Sequence, residues 1–204
     1  MLLRRDVNPT SMDAYPGAVP TPMARLDRVT METPRKTVLD RASLEINPGE
    51  VVRLVGDSGS GKTSMMRMLI GLEEPAEGNV ELMGMDTATL SDRRRLKLIA
   101  RHTGIVFQGY PLLGNFSGVD NIFKPHEQRG IKFDDAARSR VAGLIGAVGL
   151  GLDQLRSRGS ELSGGEAQRI SFVSALAHNP NILLMDEPTS AQDPEKKAVM
   201  YGMV

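Results

Sequence analysis

The chain contains no cysteine and no tryptophan, and aromatic residues make up only 4% of its 204 residues. Without a thiol there can be no disulfide, no cysteine nucleophile and no thiolate metal site. Net charge is also missing: 25 Lys and Arg balance 25 Asp and Glu. No whole-chain field therefore recruits nucleic acid or an anionic surface. No run approaches the roughly 18 apolar residues of a membrane-spanning helix, and residues 1–5 lack the apolar core of a signal peptide. The expected place is the cytoplasm, with any membrane role passing through a partner. What is present, 40% hydrophobic and 25% charged residues, suits one large or two small globular domains.

The most informative stretch is residues 56–63, GDSGSGKT, which completes the phosphate-cradling pattern G-x-x-x-x-G-K-[ST]. Gly56, Gly59 and Gly61 permit a tight loop whose backbone N–H groups, including those of Asp57, Ser58 and Ser60, face phosphate oxygens. Lys62 reaches the β and γ phosphates, Thr63 ligates Mg2+, and Ser64 opens a helix whose N-terminus favours an anion. The surroundings agree: residues 51–55 (VVRLV) form a short apolar run fit for a buried strand, and residues 64–72 have helical apolar spacing. A glycine-rich turn is the bland alternative, and the strand–loop–helix setting argues against it.

Elsewhere, residues 8–22 carry four prolines among small polar residues, a composition too poor in apolar surface to order itself. Strands are expected at 26–31, 38–46, 79–83, 104–107 and 181–185, with helices at 91–101, 134–148, 165–177 and 194–201. Asp134 is the candidate cap of the second of these helices, 134–148. Arg93, Arg94 and Arg95 oppose the dipole of their own helix and read as a solvated face rather than a nucleic-acid contact. The implied organisation is a flexible arm (1–24), an antiparallel β subdomain with the phosphate-loop core (25–110), a helical subdomain (111–160), and a final core segment (161–204).

Two further constellations bear on chemistry. The apolar run 182–185 leads into Asp186 and Glu187, carboxylates at the carboxyl end of a strand, where α/β sheets place ligands. There Asp186 can hold Mg2+ and Glu187 can orient water for in-line attack on a γ-phosphate. Residues 162–166 read LSGGE, a helix start in which Ser163 and the N–H groups of Gly164 and Gly165, with Glu166 in the first turn, make a second anion site.

With these residues assembled, the sequence resembles the nucleotide-binding subunits of ATP-binding cassette (ABC) transporters, from about Leu26 onward. GDSGSGKT matches the Walker A motif, VFQ ending at Gln108 the Q-loop, LSGGE the signature, ILLMDE the Walker B motif and SAQD the D-loop with Asp193. The phrasing is most similar to the branch serving lipoprotein release, macrolide export and cell division. The resemblance implies an α/β fold of the P-loop NTPase (RecA-like) kind: a parallel core sheet, an N-terminal antiparallel β subdomain and a helical insertion. It implies ATP and Mg2+ as ligands and ATP hydrolysis coupled to solute transport. It implies a homodimer in which Ser163, Gly164, Gly165 and Glu166 of one copy close over ATP held by the other. Glu187, Gln108 and Lys62 would be catalytic, and Thr63, Gln108 and Asp186 would surround the metal. Integral membrane permease subunits would be the partners, holding the chain at the inner face of the membrane. Nucleic acid would not be a partner.

Departures from the family pattern set the alternatives. No aromatic residue lies between Leu26 and Gly56 to stack on adenine, so Met31 or Thr33 stands near that place and base affinity is expected to be weaker unless Tyr15 folds in. Ser174 and Gln192 replace a commonly found arginine and leucine. The family's switch histidine follows the D-loop helix, beyond Val204; the expectation is a truncated product whose central sheet lacks one strand, with a shortened functional form as the minority reading. The alternative function is a nucleotide-binding module with little or no hydrolysis. A small P-loop kinase ranks lower because it has no use for LSGGE.

Overall fold

The computed structural model describes residues 2–7, 22–33, 36–57, 59–107, 109 and 111–186, and the chain divides into two compact units at 99/100. In the first unit, β2 (Ala24–Thr33) pairs antiparallel with β3 (Lys36–Ile46) and, on its other edge, with β5 (Glu77–Leu82). The two-residue β6 (Met85–Asp86) completes this sheet in the order β3-β2-β5-β6. Alternation buries Ala24 and Leu26 in β2 and Val80 and Leu82 in β5, and a register shift between Leu26 and Val29, where Arg28 takes a φ of 49°, precedes the buried Val29. Against β2 and β5 lies α1 (Lys62–Leu69), whose Met65, Met68 and Leu69 are buried at helical spacing. The short β4 (Glu50–Val55) delivers the chain to the phosphate loop.

The other edge relation of β4 was not read from the sequence. β1 (Leu2–Val7) pairs with it antiparallel, from Leu2 opposite Val55 to Val7 opposite Glu50. The expected flexible arm at 1–24 thus contains a strand, because the N–H and C=O groups along a strand edge are satisfied by any extended segment that reaches them. Residues 8–21, including Tyr15, lie outside the described residues.

α2 (Asp92–His102) joins the two units. In the second unit, β7 (Thr103–Val106) and β8 (Ile182–Met185) pair in parallel, residue for residue. Around them pack α3 (Gly118–Glu127), α4 (Asp135–Ala147), α5 (Leu152–Arg156) and α6 (Gly164–Ala177). Val106, Ile122, Val141, Ile170, Phe172 and Val173 form the centre of this unit's core, each 0% exposed. The parallel pair and the antiparallel sheet are the two sheet types expected of the fold. Asp134 caps α4 as expected, its carboxylate accepting from the Ala137 N–H at 2.8 Å. The expected helix at 194–201 lies outside the described residues.

Candidate functional site

The phosphate loop grows out of β4 and turns into α1 within six residues, 56–61. Gly59 and Gly61 carry φ of 74° and 90°, a region that costs an L-residue about 1–2 kcal/mol. Gly61 is the N-cap of α1, so its backbone turn aims the helix's first N–H groups into the loop. The Lys62 ammonium folds back and donates to the carbonyls of Gly56 at 2.8 Å and Asp57 at 2.7 Å. Ser60 Oγ is buried without a hydrogen-bond partner. Glycine turns, a lysine bonded to neutral carbonyls and an orphaned hydroxyl fit a bound polyphosphate: its oxygens would give Lys62 a charge-assisted partner and Ser60 an acceptor. Thr63 and Ser64 follow on α1, both half-buried. Ser58 lies outside the described residues, as do Gln108, Glu187 and Asp193.

In the second unit Val106 is the register partner of Met185, and the pairing extends by one bond, Asp186 N–H donating to the Val106 carbonyl at 2.9 Å. The strand ends from which Gln108 and the Asp186–Glu187 pair follow are therefore neighbours, at the carboxyl edge where parallel sheets place ligands. Among the described residues no group of three His, Asp or Glu side chains could hold a metal. Mg2+ is commonly held by one or two protein ligands completed by phosphate oxygens and water, so the absence of such a group is no obstacle to it.

The signature opens α6. Ser163 is its N-cap, and Glu166 closes a capping box: the carboxylate accepts from Ser163 N–H at 2.8 Å and from its Oγ at 2.7 Å. Gln154 of α5 donates to the other carboxylate oxygen at 3.2 Å. Hydrogen bonds from Ser163 to the charged form hold the Glu166 carboxyl below its ordinary pKa. In this arrangement the Ser163 hydroxyl is committed to Glu166, so donation to a phosphate requires it to rotate away. The structure puts Ser163, Gly164, Gly165 and Glu166 on one helix end, with Ser163 and Gly164 exposed. The phosphate loop belongs to the first unit; the signature and Asp186 belong to the second.

Two supporting groups escaped the sequence reading. Asn121 on α3 is 4% exposed, and its amide donates to the carbonyls of Leu113, Phe116 and Ser117 and accepts from Leu113 N–H at 2.7 Å. It fixes the loop between β7 and α3. Its signal was the S-x-x-D box at Ser117 and Asp120, which caps α3 and was visible in the sequence. The second group is Gln154, which steadies Glu166.

The family model for ABC transporters matches residues 39–190. LolD 1, the lipoprotein-releasing system ATP-binding protein of Rhodospirillum rubrum, is 40% identical over 180 residues, covering 86% of this chain and 79% of the relative. MetN 1, the methionine import ATP-binding protein of Listeria monocytogenes, is 41% identical over 162 residues, covering 78% of this chain and 47% of its own length. The dimeric, post-hydrolysis structure of the ATP-binding cassette MJ0796 bound to ADP and Pi superposes with a TM-score of 0.77 at 28% identity, over 89% of this chain and 81% of that one. The matches also include the Aeromonas hydrophila MacB 1 ATP-binding/permease protein, 38% identical over 170 residues, covering 83% of this chain and 26% of the relative. By its motifs, its fold and these matches, the chain belongs to the ABC transporter family.

Proposed function

We propose that the chain is the ATP-binding and ATP-hydrolysing subunit of an ABC transporter, working as a homodimer with separate membrane permease subunits. The observation that carries this reading is the pair of phosphate-suited helix N-termini, the Gly61–Lys62 start of α1 and the Ser163–Gly164 start of α6. One copy's phosphate loop and another copy's signature would enclose one nucleotide. Lys62 would offset charge on the β and γ phosphates, and Thr63 and Asp186 are the residues that would hold Mg2+. Mg2+, when bound, polarises the transferred phosphoryl group. Glu187 orients and polarises the attacking water, Gln108 senses metal or water, and Asp193 lies between the two sites. Ser58 and Asp57 line the phosphate loop.

Attachment to the inner face of the membrane would come through the permease; among the described residues no helix is long and apolar enough to cross a bilayer. Phosphate release from purified protein, with and without Glu187→Gln, tests the proposal. The expected result is Mg2+-dependent turnover that falls at least about 100-fold in the variant while ATP binding persists. ATP binding with no phosphate release from the unaltered chain would replace this reading with that of a non-hydrolysing nucleotide module.

A further inference from the structure

We infer that His126 is a positioning residue for the signature helix, tying α3 to the last turn of α6 through a neutral imidazole. This rests on the reading of α6 as the helix whose N-terminus closes over nucleotide. His126 is 4% exposed, and its Nε2 lies 2.8 Å from the Ser174 carbonyl oxygen. A carbonyl only accepts, so Nε2 carries the hydrogen and the neutral ring leaves Nδ1 as a lone pair. That Nδ1 is buried with no hydrogen-bond partner. The Ser174 hydroxyl reinforces the tie, donating to the Ile122 carbonyl at 3.3 Å and lying 3.4 Å from His126 Nε2.

His178, the C-cap of α6, stacks on His126 with ring centroids 4.6 Å apart and planes tilted by 34°. Phe133 meets His126 edge-on at 5.8 Å. The charged and titratable groups facing the pair are Arg129, beyond the end of α3, and His102, at the end of α2. From α4, Arg140 donates to the Ala177 carbonyl, while Arg138 is held by Glu127 of α3. From β7 the Thr103 backbone lies near His178 and favours its charged form slightly, but neither ring nitrogen of His178 reaches hydrogen-bond geometry. No carboxylate among the described residues compensates either ring.

A proton on His126 would thus place a new N–H where nothing accepts it and a charge beside His178 and Arg129. Burial lowers the His126 pKa below its ordinary value and, with repulsion from His126, takes His178 down to about 4. Both folded-state pKa values lie below the unfolded value of 6.5, so the folded state favours the neutral rings. The tie is at full strength above pH 6.5 and weakens as pH falls toward 4. Because α6 is a single helix of 14 residues, about 21 Å long, loosening its C-terminal end changes how Ser163 and Gly164 are presented at the other.

Amide hydrogen exchange, corrected for intrinsic pH dependence, reads the tie without nucleotide. In the unaltered chain, protection of residues 170–178 should fall at least about tenfold between pH 7 and pH 5. His126→Gln keeps an N–H donor for Ser174 and should keep the neutral-pH protection with a much shallower fall. His126→Gln combined with His178→Gln should flatten the profile, and His126→Leu should lose protection at every pH. ATP-driven dimerisation of the Glu187→Gln chain should decline over the same window and be rescued at pH 5 by the double Gln variant. Exchange independent of pH, or a His126→Gln profile identical to that of the unaltered chain, overturns the inference. So does exchange that responds while dimerisation does not, which would make the tie merely structural. If no dimer forms with ATP even at pH 7, the proposed function fails, and the exchange profiles alone decide whether His126 holds α6.

Discussion

Gly59 and Gly61 sit two residues apart with similar positive φ, yet the surroundings separate them. A Cβ on Gly59 would meet nothing within 4 Å, whereas one on Gly61 would lie 2.7 Å from Val38 Cγ1 and 3.3 Å from the Val38 carbonyl oxygen. Gly59→Ala should therefore cost only the left-handed backbone penalty, about 1–2 kcal/mol. Gly61→Ala adds a collision worth about 1–3 kcal/mol more. Urea unfolding should rank them in that order, and equal losses would show that the packing of β3 against the loop is not what fixes Gly61. The motif made both glycines legible, but it gave them one role. The second role of Gly61, close approach to β3, depends on a strand whose contact with the loop no local pattern encodes. Lys62 illustrates the same limit: its reach to phosphate follows from the motif, while its bonds to Gly56 and Asp57 need coordinates.

Elements with a strong period or a cap were legible: β3, β4, α4, α6 and β8 all fall within two residues of their expected bounds. α3 was not, because Gly118, Asn121 and Lys124 break the apolar pattern and Pro125 sits inside the helix. Pro125 brings no N–H for the Asn121 carbonyl, so it argues against a helix in the sequence, and the capping box of Ser117 and Asp120 supplies the start that composition hid. β1 was illegible for another reason, since LLRRDV has no alternation and its partner lies 43 or more positions away. The packing of β7 on α6 hangs on Gly104: a Cβ there would stand 2.3 Å from the Ala175 carbonyl oxygen and 3.0 Å from the Pro180 ring. Gly104→Ala should destabilise the second unit by about 1–3 kcal/mol. Because the colliding atoms are backbone and a rigid ring, the strand must shift rather than a side chain yield. Exchange at residues 103–106 and 170–177 should rise together, and a change confined to one element would refute the assignment of Gly104 as their shared contact.

For the molecule as a whole, the phosphate loop and the signature answer nucleotide by different routes if the dimer is head to tail. Each loop binds ATP within its own chain, so its protection depends on ATP concentration alone. Each signature is protected only when another copy's nucleotide reaches it, so its protection depends on protein concentration as well. In the Glu187→Gln chain with saturating MgATP, residues 59–64 should stay protected from amide exchange on dilution, while residues 163–166 should lose protection as the dimer dissociates. Lys62→Ala should abolish both responses, since on the proposed reading it removes the charge that would hold the terminal phosphates. The Ser163 hydroxyl is bonded to Glu166 in the structure, so forming the closed dimer includes the cost of turning that hydroxyl from carboxylate to phosphate. Glu166→Ala would relieve that competition while losing about 1 kcal/mol of cap stability, so its dimer should tolerate greater dilution once the protein is folded. Protection of the signature that persists unchanged on dilution would mean that each chain covers its own nucleotide, and the head-to-tail arrangement would have to be abandoned.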